Sequence, residues 1–130
     1  MEYLFLLGRI LYGGFFIQSG INHFRHMKMM AGYAGSKGVP APKPAVAISG
    51  LLVFIGGLSI LFGIAPGKVG VTCLVVFLLP VTFMMHNYWV ETDPMTQLNQ
   101  RVNFMKNIAL LGAALMLLLV PEPWPISLGR

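Results

Sequence analysis

Four apolar stretches fill most of the chain: Tyr3–Phe24, Pro44–Ala65, Val69–Val90 and Phe104–Val120. At about 1.5 Å of rise per residue, each of the first three reaches roughly 33 Å as a helix, enough to cross a hydrocarbon core of about 30 Å. The fourth is shorter but within the range of a spanning segment. Only a helix satisfies its own backbone hydrogen bonds inside one segment in hydrocarbon. The pattern therefore predicts an all-α protein: an integral membrane four-helix bundle with four transmembrane helices at about 3–24, 44–65, 69–90 and 104–120.

The connections support these borders. Pro40-Ala41-Pro42-Lys43-Pro44 cannot continue a helix, and Pro44 suits the first turn of the next. Pro66-Gly67 stops the second helix. Asp93-Pro94 opens a short stretch, Met95–Val102, that suits the membrane interface. Pro121, Pro123 and Pro125 close the bundle, and Trp124 sits where interfacial aromatics collect.

The chain has 130 residues, of which 56% are hydrophobic and 10% charged. A soluble domain of this size does not need that balance. Residues 1–130 form a single unit, with too little outside the spans for a second domain. The first span is too long, and its end too polar, for a cleaved signal peptide. The net charge is +5, but the basic residues punctuate membrane segments, so topology explains them and no nucleic-acid partner is expected. Arg25, Lys28, Lys37, Lys43 and Arg101 fall on the side of the two longer loops; Lys68 and Arg130 fall on the other. The positive-inside rule places the longer loops in the cytoplasm and both termini outside. Cys73 is the only cysteine, which excludes an intramolecular disulfide and a cysteine zinc cluster.

Function must lie in what interrupts the apolar pattern, because polar groups at membrane depth normally face the interior and find partners. Arg9, Gln18, Ser19, Asn22 and His23 interrupt the first helix. At 3.6 residues per turn, Arg9 and His23 lie about 40° apart on one face. Gly13 and Gly20 lie near that stripe and would let another helix approach. Thr82 and His86 stack in the third helix beside Asn87 and Trp89, after Pro80. Lys106-Asn107 open the fourth. Topology puts Asn22, His23, His86, Asn87, Trp89, Lys106 and Asn107 at one depth on the loop-rich side, with Arg9 in the opposite half. Each also suits a structural role, as a cap, snorkel or interfacial anchor. The second helix, with Gly50, Gly56, Gly57 and Gly63, reads as a packing helix.

Met27, Met29, Met30, Met84, Met85, Met95 and Met105 share the loop-rich side with His23, His26 and His86. That soft set suits Cu(I), and methionine is equally an apolar filler. His23 and His86 are the internal candidates for a bis-histidine haem. Both metal readings rank low, and no metal ligand is assigned.

Four pieces resemble the DoxX family of small four-span bacterial membrane proteins. They are Gly8-Arg9-Ile10 with Ser19-Gly20-Ile21-Asn22-His23-Phe24, then Gly38-Val39-Pro40-Ala41-Pro42, then His86-Asn87-Tyr88-Trp89, and Phe104-Met105-Lys106-Asn107-Ile108-Ala109-Leu110-Leu111-Gly112. Many members carry an acid a few residues before a Gly-Gly pair in helix two. Here Gly56-Gly57 is present with Val53 at that position, so Arg9 needs another partner.

The resemblance implies redox work in the bacterial inner membrane, as a subunit of a quinone-linked oxidoreductase or an oxidative-stress complex. In that reading quinone is the expected cofactor. His23, His86 and Lys106 would be the chemical groups: the imidazoles relay protons and the lysine stabilises charge on a reduced ring. Arg9, Asn22, Asn87, Trp89 and Asn107 would bind the cofactor. Nothing here carries electrons alone, so whether the chain is itself an enzyme stays open. The expected partners are the lipid bilayer and a redox protein or a second copy. The alternative is a non-catalytic scaffold or assembly factor docking a redox partner; a small transporter ranks lower, without an acidic relay or inverted repeat.

Overall fold

Two helices set the frame by touching backbone to backbone. α1 (Glu2–Arg25) runs antiparallel to α3 (Pro42–Phe62) along nearly its whole length. A β-carbon placed on Gly13 would meet the Gly57 carbonyl at 2.7 Å, and one on Gly20 would meet the Gly50 carbonyl at 2.8 Å. The two glycine pairs recur at the same spacing on both helices, so the stripe seen in the sequence is the contact line. Such close approach is how helices associate where no hydrophobic effect separates lipid from side chain.

The computed structural model describes residues 1–129. α1 is followed by a short helix, α2 (Met27–Ser36), then α3. A π-helical turn at Pro66–Val71 leads directly into α4 (Thr72–Met85), a 3₁₀ turn covers Tyr88–Val90, and α5 spans Pro94–Leu117. α3 packs on α4 and α4 on α5. The Tyr12 hydroxyl donates to the Leu110 carbonyl at 2.6 Å and links α5 back to α1. Phe16, Val53, Ile60, Leu74, Leu78 and Ala114 form the central core. Large apolar side chains such as Leu11, Leu51, Phe83 and Met116 point outward, an apolar exterior far beyond what a water-facing surface carries.

Three helical stretches are long and apolar enough to cross a membrane: Glu2–Arg25, Pro42–Phe62 and Pro66–Val90. No strand occurs among the described residues. The expected borders shift by a few residues at most ends, including the end of α5 at Leu117 in place of Val120, and by more at the start of α5. α3 starts at Pro42 and ends at Phe62, short of Ala65, because Gly63 adopts the left-handed conformation (φ 66°) that terminates a helix. α4 ends at Met85, and Tyr33 caps it by donating to the Met85 carbonyl at 3.1 Å. The expected loop between Arg25 and Lys43 holds α2, whose Ala31 and Ala34 pack against Val46.

The largest change is at α5. It begins at Pro94, ten residues before the expected Phe104. Asp93 caps it by accepting from the Thr96 backbone N–H and hydroxyl, each at 2.9 Å, and Pro94 occupies the first turn. The stretch placed at the interface and the fourth apolar segment are thus one helix with a polar first half, which keeps it off the set of sufficiently apolar crossings.

Candidate functional site

The termini side of the bundle is closed around Arg9. Its side chain is 3% exposed. The guanidinium donates to the carbonyls of Ile60 (3.1 Å), Leu61 (2.7 Å), Pro125 (2.7 Å) and Ile126 (3.1 Å). Its carbon lies 5.8 Å from the ring centres of both Phe5 and Trp124. A guanidinium suits this task because its planar fork of donors meets several acceptors at once. The partner that the absent helix-two acid left open is therefore a set of main-chain carbonyls, and Val53 is sealed in the apolar core.

The tail completes this closure. Leu128 N–H donates to the Phe62 carbonyl at 2.9 Å, and the Glu122 carboxylate accepts from Gly67 N–H at 2.9 Å. Trp124 is 2% exposed and stacks edge-on against Phe5. It is a core residue and not the interfacial anchor expected from its position after Val120. Arg9 spends four donors on carbonyls at its own end, and the remaining candidates lie at the other.

The loop-rich end is built differently. A cavity of about 590 Å³ lies between α2, α3 and α4, with His23 of α1 in its wall. Met29, Met30, Met84 and Met85 line it, together with apolar side chains such as Val46 and Phe77. His23 Nδ1 lies 2.7 Å from the Ser19 carbonyl. A carbonyl only accepts, so Nδ1 carries the hydrogen and Nε2 is the remaining site. Nε2 has no protein partner among the described residues, yet no buried side-chain nitrogen or oxygen there lacks one. Nε2 is therefore not fully enclosed, and His23 is one of the residues lining the cavity. The ring is held in place by Phe77, edge-on at 5.8 Å, and by Gly50, whose missing side chain leaves room for the His23 β-carbon.

His86 does not line the cavity. Its Nδ1 is 2.8 Å from Gln100 Oε1, Gln100 Nε2 donates to the Tyr33 hydroxyl, and Tyr33 donates onward to Met85. Through this chain His86 fixes Tyr33, which does line the cavity. Asn87 accepts from Lys37 at 2.8 Å, and Lys37 also pairs with Glu91 at 2.9 Å. This clamp ties the end of α2 to the segment after α4.

The shared depth expected for seven residues is only partly realised. Lys106 lies over the Phe15 ring at 5.6 Å. Phe15 is two turns, about 12 Å, before His23. The early start of α5 carries Lys106 and Asn107 deeper than a helix beginning at Phe104 would. Lys106 is exposed and Asn107 buried, and neither lines the cavity. Asn22 is half-buried beside His23. Trp89 is 53% exposed and packs edge-on against Tyr88 and Phe104. No grouping of His, Cys, Asp and Glu suited to a metal ion occurs among the described residues. His23 and His86 do not meet in one cavity.

Sequence reasoning missed Tyr33, Lys37 and Gln100. Met29, Tyr33 and Lys37 recur every fourth residue, as do Met30 and Ala34. That is the signature of a helix with one apolar face.

These features define a helical membrane protein: apolar side chains of α1, α3 and α4 face outward, one end is sealed, and the other holds an apolar cavity. Residues 4–87, from α1 to just past α4, match the family model of DoxX, and the chain belongs to the DoxX family. No curated protein matches it, and no solved structure does.

Proposed function

We propose that the protein is the membrane subunit of a quinone-linked oxidoreductase of the bacterial inner membrane. α5 serves as the fourth crossing in this reading, since its 24 residues reach about 36 Å. The excess of Lys and Arg at the loop-rich end supports cytoplasmic loops and external termini.

The observation that carries the reading is the cavity at that end. Its volume, about 590 Å³, suits a ring with part of an apolar tail, and its wall is apolar with His23 as a polar contact. A bound quinone supplies two-electron, two-proton chemistry. The chain's own part is to admit the ring between α2, α3 and α4, exclude water with its methionines, and present one imidazole nitrogen. His86 positions the cavity wall through Gln100 and Tyr33. Electrons must enter or leave through a partner subunit, because no side chain here accepts them.

The test is native mass spectrometry of protein released gently from its own membranes, with Ala45→Trp and Val39→Trp as two independent ways to fill the cavity. A bound isoprenoid quinone in the wild type that both variants lose supports the reading. A ligand-free wild type that co-purifies with a redox protein sinks it in favour of the scaffold.

A further inference from the structure

The polar side chains lining the cavity are His23, Tyr33 and Ser49. Each has already spent the hydrogen it can donate. His23 Nδ1–H is on the Ser19 carbonyl at 2.7 Å, the Tyr33 hydroxyl on the Met85 carbonyl at 3.1 Å, and the Ser49 hydroxyl on the Val46 carbonyl at 3.0 Å. What remains is acceptor capacity: the His23 Nε2 lone pair and unused lone pairs on the Ser49 oxygen. No charged side chain lines the cavity. A carboxylate or phosphate would lose its water there without a counter-charge, and a carbonyl would find no side-chain hydrogen to accept. A hydroxyl group finds a ready partner in Nε2.

We propose that the cavity binds an uncharged apolar molecule through a hydroxyl that donates to His23 Nε2, so that a quinol is held in preference to the corresponding quinone. This rests on the cavity being the quinone site, and it assigns the state in which the ring is retained. The reduced ring donates and the oxidised ring only accepts, so an imidazole whose Nδ1 is tied to Ser19 and whose Nε2 offers a lone pair distinguishes them. Gly50 keeps the imidazole seated, since a β-carbon there would stand 2.7 Å from that of His23.

The experiment is equilibrium dialysis of three short-chain compounds against the protein in lipid nanodiscs, with empty nanodiscs as the blank. The compounds are an alkyl benzoquinol kept anaerobic, the matching quinone, and the dimethyl ether of the quinol, which keeps the shape without a donor. The quinol is expected to bind at least about tenfold more tightly than the other two, as one buried hydrogen bond implies. His23→Gln, which brings a donor and an acceptor, should narrow the quinol–quinone gap to within about threefold. Equal or tighter binding of the quinone to the wild type overturns this inference and leaves the site reading standing. If none of the three binds above the blank, both fall. The wild-type comparison decides the matter even if the variant does not fold.

Discussion

The two ends of this bundle solve the same problem in opposite ways. Both carry polar side chains where the surroundings are apolar. At the termini end, Arg9 meets four carbonyls, Trp124 fills the space over it, and the tail is bonded to both α3 and the turn before α4. At the loop-rich end, an imidazole keeps one nitrogen unpartnered beside a cavity of about 590 Å³. A satisfied network holds a structure rigid, and one left with capacity is suited to a ligand. The comparison supports the proposed site by subtraction. The buried cation is held by four carbonyls, and an imidazole with an unpartnered nitrogen lines the cavity.

The comparison breaks most visibly at Arg9. Arg9→Leu removes four hydrogen bonds and leaves their buried carbonyls to find other partners, with an expected loss of about 3 kcal/mol or more. Arg9→Lys keeps the charge without the planar fork and should fall between wild type and Leu. The readout is Trp124 fluorescence in a Trp89→Phe background, which isolates the buried indole from the exposed one. Emission should shift to the red and acrylamide should quench it once the tail releases. Unchanged emission in Arg9→Leu would show that the aromatic packing alone holds the tail, and the closed end would not depend on its cation.

The line joining the two ends comes next. Gly13→Leu or Gly57→Leu puts a side chain where a backbone carbonyl stands 2.7 Å away, in both cases between α1 and α3. Overpacking of this kind costs about 1–3 kcal/mol. It should lower the thermal midpoint in detergent and loosen the seat of His23 further along the same contact. Gly112→Leu is the control, since nothing lies within 4 Å of its β-carbon position. Equal losses at Gly13 and Gly112 would mean that the α1–α3 approach does not govern stability, since Leu is the better helix former at both positions.

The sequence was most legible where structure needs few partners. Apolar length located α1, α3 and α4 to within about five residues, and glycines marked a close-approach face on α1 and on α3, though only the fold pairs the two into one seam. Arg9 and His23 were correctly set at opposite ends because a helix wheel and a rise per residue suffice for that. The loop-rich end was harder. α2 hides its Met30–Ala34 face among glycines and cations, and it becomes a wall only by packing on Val46. The methionines could be counted to the right end, but a cavity is defined by how far three elements stand apart, which no single stretch encodes. Gln100 and Tyr33 are sixty-seven residues apart and meet only after folding.

The misplaced depth of Lys106 and Asn107 has a more local origin, and it supplies the smallest and sharpest test. Asp93 decides where α5 begins. The Thr96 N–H and hydroxyl bond its carboxylate and hold its pKa below the ordinary carboxylate value. A depressed folded-state value means that the group stabilises the folded cap above its unfolded pKa, and that this contribution fades as pH falls through the folded one. The Thr96 amide resonance, followed by NMR in micelles, should therefore titrate below the usual Asp range. Asp93→Asn should abolish that titration while keeping the helix start, because an amide oxygen still caps. Asp93→Ala should fray the first turn back toward Gln100 and weaken its bond to His86, which would appear as a shift of the His86 ring signals. If His86 does not respond, α5 is positioned by its packing on α4 alone, and the cap marks the helix start without fixing the register on which the open end depends.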